Sequence, residues 1–169
     1  MESGLSKGYA CAAILHTSIK FQTCPMMNST FITSFEAPDP VGSYPHARRV
    51  GNLLFLSGVG PRKKGSKEIP GVTLDENRDI ISYNIEEQCH SVFQNVKFIL
   101  EASGSSWENL VDITVYLTNM KNDFPAFNKI YAEYFSDKAT QPCRTTVEVN
   151  ALPTPIAIEL KCIATIKNN

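Results

Sequence analysis

The chain has 169 residues, 43% of them apolar and 20% charged, and a formal net charge of -1, the balance of one ordinary globular domain with a real core. Its basic residues form no run or stripe, which argues against a nucleic-acid-binding surface, and no apolar stretch is long enough to span a bilayer. Cys11, Cys24, Cys89, Cys143 and Cys162 are widely spaced, with no Cys-x-x-Cys pair and no histidine at ligand spacing, so neither a metal nor a disulfide framework is expected.

Residues 1–38 show no sustained helical or strand period and end at the breaker-rich Pro38-Asp39-Pro40. They are read as an extension, disordered or a leader, preceding a domain over 39–169. A reducing, cytoplasmic setting is expected, with a mitochondrial address for the acid-poor leader as the alternative. Removal of residues 1–35 is expected to leave folding intact.

Arg48-Arg49-Val50 and Leu53-Leu54-Phe55-Leu56 flank Gly51-Asn52, a hairpin whose turn uses glycine at positive φ. The second strand is apolar on both faces, so both faces of its sheet need cover. The polar stretch 61–79 is expected to be a long loop. Asn84 then caps a helix, with Glu87 three residues on, and Ile85, Cys89, Val92, Phe93, Val96, Ile99 and Leu100 share one face up to a stop at Gly104. Val111, Ile113, Val115 and Leu117 alternate with polar residues as a half-buried strand. A second helix is expected from about Asp123, with Pro125 in its first turn and a core stripe of Phe124, Phe127, Tyr131, Tyr134 and Phe135. Two strands, 144–149 and 156–166, close the chain around Pro153-Thr154-Pro155. The order β-β-α-β-α-β-β predicts an α+β sandwich, one sheet with both helices on one face.

Two residues stand out chemically. In Arg144-Thr145-Thr146-Val147-Glu148-Val149, alternation sets Arg144, Thr146 and Glu148 on one face and Thr145, Val147 and Val149 on the other, and the latter trio is expected to face the helices. An outward Arg144 suits a subunit interface, where its fork either grips a carboxylate or makes a structural salt bridge. Glu159 lies in the apolar run Ile156-Ala157-Ile158-Glu159-Leu160, so it is either paired with a cation or raised in pKa for proton transfer. A triad of Ser57 with His46 or His90 lacks the nucleophile-elbow motif and is set aside.

From 41 to 167 the chain resembles the reactive intermediate deaminase (Rid) family, on Val41-Gly42-Ser43-Tyr44, Phe55-Leu56-Ser57-Gly58, Asn128 with Tyr131, the 142–149 segment from Pro142-Cys143 through the strand above, and Ile158-Glu159. The resemblance implies a chorismate-mutase-like homotrimer with sites in the clefts between subunits. It also implies a reaction without cofactor or metal, a small carboxylate-bearing enamine or imine as substrate, and neither nucleic acid nor membrane as partner. Carried over by position, Arg144 resembles the carboxylate anchor, with Tyr44, Ser57, Gly58, Asn128 and Glu159 as companions. Glu159 and Thr146 are expected to flank the attacking water; many members carry cysteine where Thr146 stands, so thiol-based sensing is not expected here. Tyr44-Pro45-His46, Arg48-Arg49, Glu87-Gln88, Leu152-Pro153 and Ile158-Glu159-Leu160-Lys161 look most like the 2-aminomuconate deaminase branch. A dicarboxylate substrate needs a second cation, for which Arg49 is preferred over the Arg62, Lys63 and Lys64 cluster. The alternatives are a general 2-imino or enamino acid deaminase and a non-catalytic trimer that senses small carboxylates or binds a partner protein.

Overall fold

The computed structural model describes residues 29–66 and 68–166. Strands β1 (Ser29–Ile32), β2 (Ala47–Val50) and β3 (Leu53–Leu56) open the chain. A short hairpin of β4 (Val72–Leu74) and β5 (Ile80–Tyr83) precedes helix α1 (Ile85–Ala102), and β6 (Leu110–Leu117), α2 (Met120–Tyr134), β7 (Cys143–Glu148) and β8 (Ile158–Thr165) complete it. Six strands form one sheet in the order β1-β2-β3-β8-β6-β7, antiparallel throughout except for the β6–β7 pair. Both helices pack on one face, as the element order implied. Leu54, Leu56, Ile113, Val115, Leu117, Ile158, Leu160, Cys162 and Ala164 are fully buried there, against Val92, Phe93, Val96, Leu100 and Phe127 of the helices.

The helix ends follow from local chemistry. The Asn84 side chain accepts from the Glu86 and Glu87 amides and its own amide group reaches Glu87 Oε1 at 3.2 Å, closing the N-terminus of α1. At the other end Gly104 sits at φ 72°, and the Ser105 amide turns back to the Leu100 carbonyl at 2.9 Å, a left-handed stop open to glycine at little cost. Helix α2 starts earlier than its apolar pattern suggested, because Asn119 caps it through the Asn122 amide. Pro125 therefore lies in the second turn, where it has no N–H to give the carbonyl of the exposed Lys121. Of the aromatic stripe, Phe127, Tyr131 and Phe135 are core and meet Phe93 of α1 and one another at ring distances of 4.4–6.4 Å, whereas Phe124 is half-buried and Tyr134 is 39% exposed.

Three expectations change. The 61–79 loop contains β4, which pairs with β5; strands this short are too brief to show a period, and their turn is held by Asp75 Oδ1 accepting from Asn77 and Asp79. In β6 a register shift between Leu110 and Asp112 lets Leu110 take the buried position and leaves Val111 45% exposed. The largest correction concerns the proposed boundary at 38. Ser29–Ile32 is an edge strand paired with β2, and Ser34, Ala37 and Pro38 are buried in the fold, with Phe35 and Glu36 exposed between them. Ser34 is 1% exposed; its Oγ accepts from the Glu36 and Ala37 amides, and its own amide donates to His46 Nδ1 at 3.1 Å. The Pro38 carbonyl lies 3.0 Å from His46 Nε2, so only the neutral tautomer protonated at Nε2 satisfies both contacts. The extension as read over 1–28 lies outside the described residues.

Truncation through residue 35 is thus expected to destabilise the domain, in contrast to truncation through residue 28. Ser34→Ala removes the acceptor of two amides, that of Ala37 buried, and should cost about 1–2 kcal/mol, a fall in melting temperature of several degrees for a domain of this size. Thermal denaturation of the three variants checks both statements.

Candidate functional site

The residues singled out by sequence fall into two groups, on different parts of one chain. The first lines a cleft where β3 runs out beside β8. Tyr44, Ser57, Gly58, Arg62, Thr154 and Glu159 contribute to its walls. Ser57 is fixed by its amide bonding the His46 carbonyl at 2.9 Å and by its Oγ donating to the Pro45 carbonyl at 2.6 Å. His46 Nδ1 accepts from the Ser34 amide and Nε2 meets the Pro38 carbonyl, so neither ring nitrogen is directed at Ser57. Reciprocal bonds between Val59 and Leu160, at 2.8 and 2.9 Å, then press Gly58 against Glu159. A methyl group on Gly58 would lie 2.9 Å from the Glu159 Cδ, so any larger residue there would displace the Glu159 carboxylate from its present position. Tyr44, 43% exposed, closes over Gly42, where an added methyl would meet its ring at 2.8 Å.

Glu159 pairs across the sheet with Tyr116 and so sits on the face without helices. Among the described residues its carboxylate has neither a hydrogen bond nor an ion pair. Burial pushes its pKa above the ordinary carboxylate value, and the charge of nearby Arg62 pulls in the opposite direction. That combination suits a carboxyl group that exchanges a proton with a bound substrate.

The second group is built on β7 and α2. The strand parity read from sequence holds, but the faces are reversed. Arg144, Thr146 and Glu148 lie beside Ile113, Val115 and Leu117, whose side chains are buried under the helices, whereas Val147 is 37% exposed on the open face. Arg144 therefore points to the helix side. Its guanidinium lies 4.4 Å from the Tyr131 ring centre and 5.6 and 5.9 Å from those of Phe127 and Phe124, a stacked bed of aromatic rings. No hydrogen-bond acceptor meets it among the described residues. The Thr146 Oγ1 and Tyr131 hydroxyl are likewise buried without partners, and burial raises the Tyr131 pKa to about 12, so that hydroxyl is a donor at neutral pH. Unmet donors gathered around one cation form a site prepared for an anion. Asn128 is exposed, four residues after Phe124 and three before Tyr131, and hence on the same side of α2. Glu148 accepts from the Met120 amide at 2.7 Å and serves the helix terminus.

One chain cannot bring the groups together. Glu159 and Arg144 stand on opposite faces, two strand spacings of about 4.8 Å and three residues of about 3.3 Å apart. The cleft itself encloses about 30 Å³, on the order of one water molecule. Arg49, expected at the outer end of the site, belongs to neither group. It lies opposite the buried Leu54, and its Nε donates to the Gly51 carbonyl at 2.8 Å. Two contributors escaped the sequence reading. Arg62, weighed there only within a basic cluster, lines the cleft, and buried Asn95 holds the Gly60 and Arg62 carbonyls at 2.9 and 2.8 Å. A helical asparagine carries no local signal of such a role. Among the described residues no His, Cys, Asp and Glu group is arranged to hold a metal ion, and no helix is long and apolar enough to cross a membrane.

A six-stranded mixed sheet backed by two helices, with a Gly58–Glu159 cleft and a stacked arginine, defines the class. Residues 34–166 match the family described as Endoribonuclease L-PSP, and the chain belongs to that family, which includes the Rid proteins. A RutC family protein of Pyrococcus horikoshii is 39% identical over 128 residues, covering 76% of this chain and 90% of its own. Reactive Intermediate Deaminase A, chloroplastic, of Arabidopsis thaliana is 33% identical over 164 residues, covering 97% of this chain and 76% of its own. Among solved structures, E. coli TdcF with bound serine superposes with a TM-score of 0.69 at 29% identity, covering 82% and 99% of the two chains.

The Glu159 environment has a testable consequence for stability. A carboxyl whose folded-state pKa is raised favours folding in its protonated form, and that contribution is lost as pH rises through the folded value. Glu159→Gln should therefore raise the melting temperature at pH 7, and the gain should vanish toward pH 4. Melting curves of both proteins across this range decide it.

Proposed function

We propose that the protein is a hydrolytic deaminase of carboxylate-bearing enamines and imines, active as a homotrimer whose sites form where the Glu159 cleft of one subunit meets the Arg144 cluster of its neighbour. The observation that carries this reading is the split itself: an unpaired guanidinium on one side of the chain, an unpaired carboxylate in a one-water cleft on the other. The exposed Leu53 and Val147 and half-buried Phe55 and Ile163 on the open face supply apolar surface for such an assembly. The Arabidopsis relative's name and the serine in the TdcF structure support a small amino-acid-like substrate.

In this reading Arg144 grips the substrate carboxylate through two parallel hydrogen bonds. Protonation of the enamine carbon gives an iminium, and water held between Glu159 and the neighbour's Thr146 adds to its carbon. Glu159 accepts the water's proton and returns it to nitrogen; as the C–N bond breaks, the hydroxyl proton passes to solvent, replacing the one taken up by the enamine carbon, and a carbonyl compound and ammonia leave. Enamine plus water balances ketone plus ammonia, and positioning supplies most of the catalysis, because the uncatalysed reaction already proceeds. Ser57 and the Gly58 backbone orient the substrate, and Tyr44 and Asn128 close the site. The preferred substrate is 2-aminomuconate.

Arg144→Lys should lower kcat/KM by roughly ten- to a hundredfold, the value of about 1.5–3 kcal/mol for a lost charge-assisted bond. Glu159→Gln should lower kcat more than it raises KM. The decisive experiment unfolds the two variants together and refolds the mixture. Sites that draw Arg144 from one chain and Glu159 from the next regain activity, up to about a quarter of wild type by random mixing. Mixed protein no more active than the separate variants, or a monomer by light scattering, rejects the shared site.

A further inference from the structure

The loop after β3 opens with three cations, and the fold gives each a different surrounding. Lys63 pairs with Glu68 at 3.3 Å, both exposed. Lys64 donates to the Phe35 carbonyl and lies 5.8 Å from the Phe35 ring centre. Arg62 lines the cleft, sharing its wall with Tyr44, Ser57 and Glu159, and also borders the neighbouring groove of Glu68 and Arg78.

Its position is held from both ends. The buried Asn95 side chain anchors the Arg62 carbonyl at 2.8 Å, and Nη2 donates to the Asp39 carbonyl at 2.7 Å. Asp39 follows Pro38, whose carbonyl is tied to His46. One N–H of the guanidinium is thereby committed, and the others meet no protein acceptor among the described residues. Glu159 is close enough to feel the charge, yet no ion pair forms within 4.0 Å. A fork held in place with donors to spare, beside a carboxylate it does not bond, is prepared for a second anion.

We propose that Arg62 is the specificity-determining residue of the cleft, selecting substrates that carry a second carboxylate at the end remote from the one held by Arg144. The proposal rests on the deaminase reading for the identity of the first anchor. Without Arg62, an anionic tail at the mouth of the cleft would meet the Glu159 carboxyl with no cation beside it. With it, the tail gains a charge-assisted bond, whereas a neutral tail gains nothing. Arg49 cannot fill this place, because it is on the helix-covered side of the sheet.

The test uses two unreactive ligands of equal length, trans,trans-muconate, with a carboxylate at each end, and sorbate, with only one. Calorimetry on the assembled full chain should find muconate bound roughly tenfold or more tightly than sorbate. Arg62→Gln should bring the two within about twofold while leaving sorbate affinity unchanged, and Arg62→Lys, which keeps the charge and guards against a folding artefact, should retain part of the preference. Equal affinities in the wild type, absence of binding by either ligand, or parallel weakening of both by Arg62→Gln would overturn the proposal; the last would mean that Arg62 merely braces the Asp39 segment. Ammonia release from a monocarboxylate enamine separates the two readings. Activity without muconate preference removes Arg62 and leaves the deaminase, whereas muconate preference without ammonia release keeps Arg62 as a binding residue and removes the deaminase.

Discussion

Two helices cover one face of a six-stranded sheet and leave the other face bare, and most of the molecule's features follow from that. The covered face holds an unbroken apolar layer from Leu54 through Leu160 and Ile113. The bare face carries Phe31, Phe55, Tyr116, Val147 and Ile163 among polar neighbours, surface that water does not favour. An apolar sheet face of this kind asks for a second chain. It is also the face on which Glu159 stands, so the same constraint that invites assembly places a proton acceptor where a neighbour would bury it further.

The site chemistry grows from how each strand ends. Among the described residues Glu159 is unpaired, because Gly58, pressed on it by the Val59–Leu160 bonds, offers no side-chain partner and Arg62 stands beyond ion-pair distance. Arg144 stays unpaired because its neighbours are aromatic rings, which hold a guanidinium in place without consuming its hydrogen bonds. Each group carries a desolvation cost that a well-paired residue would avoid. Retaining both is easiest to understand if a ligand completes them.

The N-terminal segment has a larger part than its sequence suggests. Ser34, His46 and Arg62 pin residues 34–39 across the mouth of the cleft by hydrogen bonds to backbone groups. Ala37, Pro38 and Pro40 thus become walls of the site. None of these contacts has a periodic signature, because each joins a side chain to a backbone atom distant along the chain.

What was legible in the sequence is what local periodicity and capping control. The α1 register, its Asn84 and Gly104 ends, the hairpin at Gly51 and the parity of 144–149 all follow from interactions within a few residues. The grouping of Tyr44, Ser57, Gly58 and Glu159 in one cleft also agrees with the family likeness. Tertiary structure alone decided which face Arg144 takes, because parity separates odd from even positions but does not say which set meets the helices. At an edge strand overhanging α2, stacking on Tyr131 outweighs burial of Val147. It alone decided that Arg62, not Arg49, enters the cleft, through Asn95 and Asp39 contacts made 33 and 23 residues away. Long-range contacts of that kind leave no local pattern, since the backbone carbonyls they use are present at every residue.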